Sequence, residues 1–106
     1  MGRILIKLKF DISVSEKKMK YVYILLLKNG QLYTGVTKNL KRRFKEHQNK
    51  KVRFTSKRLP VRLIHYEVYL LDSDADRREK FLKTTEGKRL LRQQLRDVLR
   101  QFKVVI

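Results

Sequence analysis

The chain predicts an α/β fold of the mixed α+β kind: a three-stranded antiparallel sheet flanked by helices. Three observations carry that prediction. A β-branched and aromatic run, Tyr21 to Leu27, is followed by Asn29-Gly30 and a second such run, Gln31 to Thr37, which is the pattern of a hairpin. Leu40, Phe44 and His47 fall at i, i+4 and i+7, one face of a helix. Val61 to Leu71 then alternates with a period of two, and helical spacing returns towards the C-terminus.

Taken in order, residues 4–14 (Ile4, Ile6, Leu8, Phe10, Ile12, Val14) already alternate. They are either an extra N-terminal edge strand or an extension ahead of a natural start at Met19. The expected division is therefore 1–18 as an N-terminal extension, 19–102 as one domain and 103–106 as an apolar tail. At the hairpin, Asn29 and Gly30 both tolerate positive φ, and Gly35 stands where a side chain would block the approach of another group. Thr37 or Asn39 can cap the helix from about Leu40 to Gln48. In the third strand, Arg62, Ile64, Tyr66, Val68 and Leu70 are expected on the better buried face, with Glu67 on the exposed one. Ser73 with Asp76 has the form of a capping box, beside carboxylates that suit a helix N-terminus. That helix runs to about Lys83. Thr84 or Thr85 restarts a last helix with Leu91, Leu95, Val98 and Phe102 as its buried stripe.

Composition narrows the partners. The chain has 106 residues, one small domain's worth, with 28 Lys and Arg against 10 Asp and Glu, a formal charge of +18. A charge that far from zero repels itself unless a polyanion is the usual partner. Nucleic acid is the leading choice and an anionic membrane surface the weaker one. Eleven Lys or Arg and one acid, Glu46, lie between Lys38 and Arg62. Lys38, Lys41, Arg42, Lys45, Lys50, Lys51, Arg53, Lys57 and Arg58 are the candidate phosphate contacts. No base-reading motif accompanies them, so binding is expected to be sequence-tolerant. With no cysteine, disulfides, thiolate nucleophiles and Cys-type zinc sites are excluded. No apolar run approaches the length of a membrane span. Lys7 and Lys9 break the N-terminal apolar run, and the expected location is the cytoplasm.

The chemistry-bearing residues cluster. Arg43 and His47 are at i, i+4 on one helix face, where they can grip a phosphate and handle a proton near neutral pH. A basic surface residue beside a core histidine satisfies the same pattern. Glu79 shares a helix face with Ala75 and Leu82. A carboxylate so placed is either a structural ion-pair partner, for instance of Arg43, or a ligand for a hard divalent cation; Glu67 is the competing carboxylate. Tyr23 and Tyr33 sit on the paired strands, as packing residues or as phenols at a site. Walker loops, dinucleotide fingerprints and Ser-His-Asp arrangements are absent, and two histidines are too few for a multi-histidine metal site.

In order, Tyr21-Val22-Tyr23, Tyr33-Thr34-Gly35, Asn39-Leu40-Lys41-Arg42-Arg43 with His47, and Arg77-Arg78-Glu79-Lys80 resemble the GIY-YIG nuclease family over roughly Met19 to Leu95. The likeness is to its small single-domain bacterial members, and it extends to the nuclease domain of the excision-repair UvrC endonuclease. The resemblance implies a metal-dependent endonuclease that hydrolyses DNA phosphodiesters with an activated water and one Mg2+ or Mn2+. It implies Tyr33 as general base or water-orienting phenol and Tyr23 as a hydrogen-bonding positioner. Arg43 would stabilise charge on phosphate, His47 assist proton transfer and Glu79 hold the metal. Branched or flapped DNA is the implied substrate, with RNA open as a second one. Two departures stand out. The first triplet begins with Tyr21 in place of the family's glycine, and no asparagine follows Asn49, where only Gln93 and Gln94 lie in the right region. A binding module with weak or no turnover, or a nuclease subunit needing a protein partner or a weak homodimer, is the alternative.

Overall fold

The computed structural model describes residues 19–102. The expected extension at 1–18 and the tail at 103–106 lie outside the described residues. Strand β1 (Lys20–Leu26) pairs antiparallel with β2 (Leu32–Thr37) on one side and with β3 (Arg62–Tyr69) on the other, giving the order β2-β1-β3. Helix α1 (Leu40–Gln48) connects β2 towards β3, and helices α2 (Asp72–Leu82), α3 (Thr85–Gln94) and α4 (Arg96–Gln101) follow. This is the three-stranded antiparallel α+β architecture that the sequence predicts.

The central position of β1 explains its composition. A strand covered on both faces cannot alternate, and Val22 through Leu27 are all buried. Val22 and Ile24 pack with Ala75, Leu82 and Leu91 beneath α2 and α3. Tyr23, Leu25 and Leu27 pack on the opposite face with Val61, and Tyr33, Leu40, Phe44 and Leu63 close over them. Each fully buried aliphatic side chain contributes about 1.5–3 kcal/mol.

The hairpin turn differs from the expected pair of positive-φ residues. Only Gly30 is left-handed, at φ 85°. The amide of Gly30 donates to the Leu27 carbonyl and that of Leu27 to the Gln31 carbonyl, both at 2.9 Å, which is a type I turn closed by a left-handed glycine.

The third strand corrects a larger expectation. Ile24 pairs with His65 but Leu25 with Leu63, so Ile64 is the extra residue of a bulge. Beyond it, His65, Glu67 and Tyr69 lie on the face covered by α2, and Tyr66 and Val68 on the other. The supposedly better buried set is therefore the more open one: Tyr66 is 51%, Val68 44% and Leu70 59% exposed. Glu67, expected outside, is half-buried.

Two helix expectations also change. Helix α2 begins at Asp72 with Leu71 as N-cap and no side-chain cap bond, so the capping box at Ser73 and Asp76 does not form. Asp76 binds Lys20 at 2.7 Å instead. The expected last helix is broken at Leu95, whose ψ of 18° ends α3 and starts α4. The phase shift buries Leu91 and Leu99 and leaves Leu95, Val98 and Phe102 half-buried. Thr84 does cap α3, accepting from the Gly87 amide at 3.0 Å. A β-carbon on Gly87 would collide with the Phe81 carbonyl, so that glycine permits the tight α2–α3 corner.

Candidate active site

Register fixes the two tyrosines. Tyr23 lies opposite Gly35, and Tyr33 opposite Leu25. Both phenols therefore project from the α1 face of the sheet, with ring centroids 6.3 Å apart. A β-carbon on Gly35 would occupy the space of the Tyr23 hydroxyl. The glycine of the second triplet thus lets the phenol of the first lie across its partner strand.

Helix α1 supplies the next two groups. Asn39 caps it, accepting from the Arg42 amide at 3.0 Å, and Leu40 and Phe44 seat it on the sheet. Arg43 and His47 then fall on the flank facing the tyrosines. The Tyr23 hydroxyl is 2.8 Å from His47 Nε2, and His47 Nδ1 is 2.8 Å from Thr55 Oγ1. Thr55 in turn donates to the Val52 carbonyl at 3.4 Å. Its oxygen therefore accepts from Nδ1–H, and Nε2 is left to accept from the Tyr23 hydroxyl. The Tyr33 ring stands edge-on to His47 at 5.1 Å, and Phe54 flanks Tyr33 at 5.6 Å.

Thr55 reaches His47 because α1 ends in a reversal. Lys50 is left-handed at φ 62°. The Lys51 amide bonds the Glu46 carbonyl and the Lys50 amide the His47 carbonyl, which is a Schellman closure. The chain folds back and brings residue 55 under the imidazole. His47 and Thr55 are both 0% exposed, so neither can touch a substrate directly. Thr55 has no motif to mark it in sequence; its only signal is a threonine between Phe54 and Ser56 in an otherwise basic loop.

Electrostatics follow from this packing. Burial, reinforced by the Arg43 charge, pushes the His47 imidazole down to about 4, so it is neutral at pH 7. Burial raises the Tyr23 phenol to about 12 against the opposing pull of Arg43, so it stays protonated. The Arg43 guanidinium lies against the Tyr23 oxygen and also binds Glu46 at 3.0 Å; both contacts hold its proton more firmly.

Glu79 sits on α2 between buried Ala75 and Leu82, as the helix spacing predicts. Its ion-pair partner is Lys83, at 3.0 Å, and not Arg43. Its charge adds weakly to the influences that keep the Tyr23 phenol protonated. Glu67 is committed elsewhere. Burial would raise its carboxyl, but bonds from Arg78, Tyr69 and His65 overcome that and hold it at about 2. Among the described residues no group of three His, Cys, Asp or Glu could hold a metal ion. A single carboxylate such as Glu79, once released from Lys83, is nonetheless a donor that a magnesium ion takes when water and substrate phosphate complete its shell.

Beside Tyr33 opens a cleft of about 370 Å3 lined also by Phe54, Lys83, Lys88 and Arg92. The last two, at i, i+4 on α3, are basic residues that the sequence reading left out. Of the candidate phosphate contacts, Lys41, Arg42, Lys45, Lys50, Lys51, Arg53 and Lys57 are exposed. Lys38 pairs with Asp72 at 3.2 Å, and Arg58 is drawn in over the Phe54 ring at 4.2 Å. Gln93 and Gln94 line a different cleft with Leu90, Arg96 and Asp97; they do not join the tyrosines.

Comparison with known proteins identifies the family. Residues 19–93 match the model of the GIY-YIG catalytic domain. A UPF0213 protein of Clostridium perfringens is 42% identical over 66 residues, covering 61% of this chain and 71% of the relative. One from Staphylococcus saprophyticus is 36% identical over 73 residues, covering 68% and 89%. The solution structure of the UPF0213 protein from Bacillus halodurans is 34% identical, with a TM-score of 0.48 over 72% of this chain and 84% of that one. The chain therefore belongs to the GIY-YIG nuclease family, and its similarity is to the small, single-domain UPF0213 proteins of that family.

Proposed function

We propose that the protein is a metal-dependent endonuclease that hydrolyses phosphodiester bonds in DNA. The observation that carries this reading is convergence: Tyr23, Tyr33, Arg43 and His47 meet on one side of the sheet. A protein of charge +18 brings a polyanion to that spot. Arg43 binds the scissile phosphate and stabilises the charge that develops on it. Tyr33 orients the attacking water and, as the phenolate, takes that water's proton while the water oxygen bonds to phosphorus and the leaving oxygen departs. Tyr23 cannot be the base at neutral pH, because its own proton is held to about 12. It is a fixed hydroxyl that positions water or phosphate. His47 acts through Tyr23: a buried neutral imidazole that accepts the phenol's hydrogen bond and aims it.

Glu79 fits a divalent ion, Mg2+ or Mn2+, which would supply Lewis-acid polarisation of the phosphate and stabilise the leaving oxygen. The remaining groups keep water ordered and charge balanced whichever ion is used. Cytoplasmic nucleic acid, branched or flapped DNA above all, is the proposed substrate. Among the described residues no helix is long and apolar enough to cross a membrane.

One observation favours a second reading, a binding module with little turnover. The Glu79 carboxylate is engaged by Lys83 at 3.0 Å, and a metal ion has to displace that ammonium. A cleavage panel separates the two. Supercoiled plasmid, single strand, flap, four-way junction and an RNA strand are incubated with magnesium, manganese or chelator. Cutting by the parent protein that chelation abolishes, and that Glu79→Ala and Tyr33→Phe each reduce about 10²–10⁴-fold, is the expected result. Undiminished cutting by both variants rejects the site. Tight binding without cutting selects the binding module.

A further inference from the structure

On the far flank of α1 lies a second feature. Arg43 and His47 face the tyrosines; Lys41, Lys45 and Gln48 recur at i, i+4 and i+7 about half a turn away around the same helix. Between that flank and β3 opens a cleft of about 640 Å3, floored by Leu63 and Phe44 and walled by Tyr21 and Tyr66, within the range of small-ligand sites. The Tyr21 and Tyr66 rings are 6.0 Å apart and tilted by 58°. Tyr66 is 51% exposed, and Val68 beside it 44%. A monomer rarely leaves such aromatic surface in water without a partner. Lys41 and Lys45 carry no ion-pair partner among the described residues, unlike Lys38.

We propose that this cleft is a stacking subsite for an unpaired nucleotide of a DNA substrate, with Tyr66 and Tyr21 as the platform and Lys41 and Lys45 as its phosphate contacts. The inference rests on the nucleic-acid reading above and narrows its substrate. Aromatic faces interleaved with unpaired lysines are what a single strand uses, because every base offers a π-face and every linkage a charge. A base inside a duplex is already stacked on both sides and cannot use Tyr66. Charge chooses this occupant over an apolar protein surface, since the rim of the cleft is of one sign. Position adds a second argument. Tyr66 is the cross-strand partner of Tyr23, and the two flanks of α1 are separated by about 10 Å, the width of a helix, or about three nucleotide steps. An unpaired nucleotide held there lies a few steps from the phosphate at Arg43. The subsite therefore favours cutting beside a junction of single and double strand.

The test compares a blunt duplex with the same duplex carrying an unpaired oligothymidine tail, by fluorescence anisotropy with the full chain. The parent is expected to bind the tailed form more tightly. Tyr66→Ala, an exposed change that should leave the melting temperature unchanged, is expected to weaken tailed binding about five- to hundredfold. Blunt-duplex affinity should change by no more than about twofold. The chain has no tryptophan, so a Tyr66→Trp protein reports directly: its emission should be quenched on adding oligothymidine. Equal tailed affinities for the parent and Tyr66→Ala overturn the subsite, as does an equal loss on both duplexes. Emission from the Tyr66→Trp protein that is shielded from acrylamide before DNA is added also overturns it, because this chain or a second copy then covers the cleft. A parent that binds neither duplex overturns both readings. Tail-selective loss in Tyr66→Ala without any Glu79-dependent cutting supports the subsite and rejects the nuclease.

Discussion

His47 shows how a motif residue can be read correctly in position and incompletely in role. Its spacing from Arg43 marks it in sequence, and helix geometry explains why the pair shares a face. Its burial does not show in sequence, because that depends on the reversal at Lys50 bringing Thr55 underneath. For the same reason Thr55, which sets the imidazole's tautomer, escapes a reading based on spacing. Thr55→Val removes the acceptor of Nδ1–H and leaves a buried donor unpaired, at a cost of about 1–3 kcal/mol in chemical denaturation; Thr55→Ser should restore most of it. The pH dependence has a defined sign. Burial lowers the folded His47 pKa to about 4 from an ordinary 6.5, so the unfolded chain binds the extra proton between those values. Stability is therefore whole above about pH 6.5, erodes as pH falls, and levels off below about 4, a span on the order of 3 kcal/mol.

At the scale of elements, the half-buried clamp between β3 and α2 is the counterpart of the site. Arg78 reaches Glu67 with two bonds, of 2.9 and 3.1 Å, while Tyr69 and His65 complete the carboxylate's partners. Glu67→Gln should lower stability by about 1–3 kcal/mol at pH 7, and the difference from the parent should shrink in acid. A depressed carboxyl contributes above its unfolded pKa of about 4.5 and loses that contribution as pH falls towards about 2; thermal melts across that window read it. A variant whose deficit stays constant down to pH 2 would refute the clamp. Strand and helix order, the hairpin and α1 are legible from periodicity, since each is encoded locally. The inward turn of Glu67 is not, because one extra residue at Ile64 exchanges the two faces of β3 and alternation alone cannot show a bulge. Likewise the missing capping box does not show in sequence, because Asp76 is taken by Lys20, a partner supplied by β1.

For the whole molecule, net charge outweighs any single contact. If roughly 6–10 phosphates are neutralised, affinity should fall about 10³–10⁵-fold between 50 and 200 mM salt. A titration that is flat over that range would remove the basic surface from the account. The direction of this effect is legible from composition alone; the distribution is not. Lys88 and Arg92 reach the Tyr33 cleft because the α2–α3 corner at Gly87 brings α3 beside it, while Arg58, counted in sequence among the phosphate contacts, is drawn in over Phe54.

The bulge at Ile64 also gives β3 a parity. Every side chain from His65 to Tyr69 lies on the face that alternation counted from Leu63 would not give it. Substitution within the strand alters one contact at a time. Removing Ile64 would close the bulge and leave His65 opposite Ile24, Tyr66 opposite Tyr23 and Glu67 opposite Val22, so the clamp and the exposed aromatic wall would both survive the deletion. In this strand the number of residues carries information of a different kind from their identity, and relatives differing in length at that point should be compared by face, not by column.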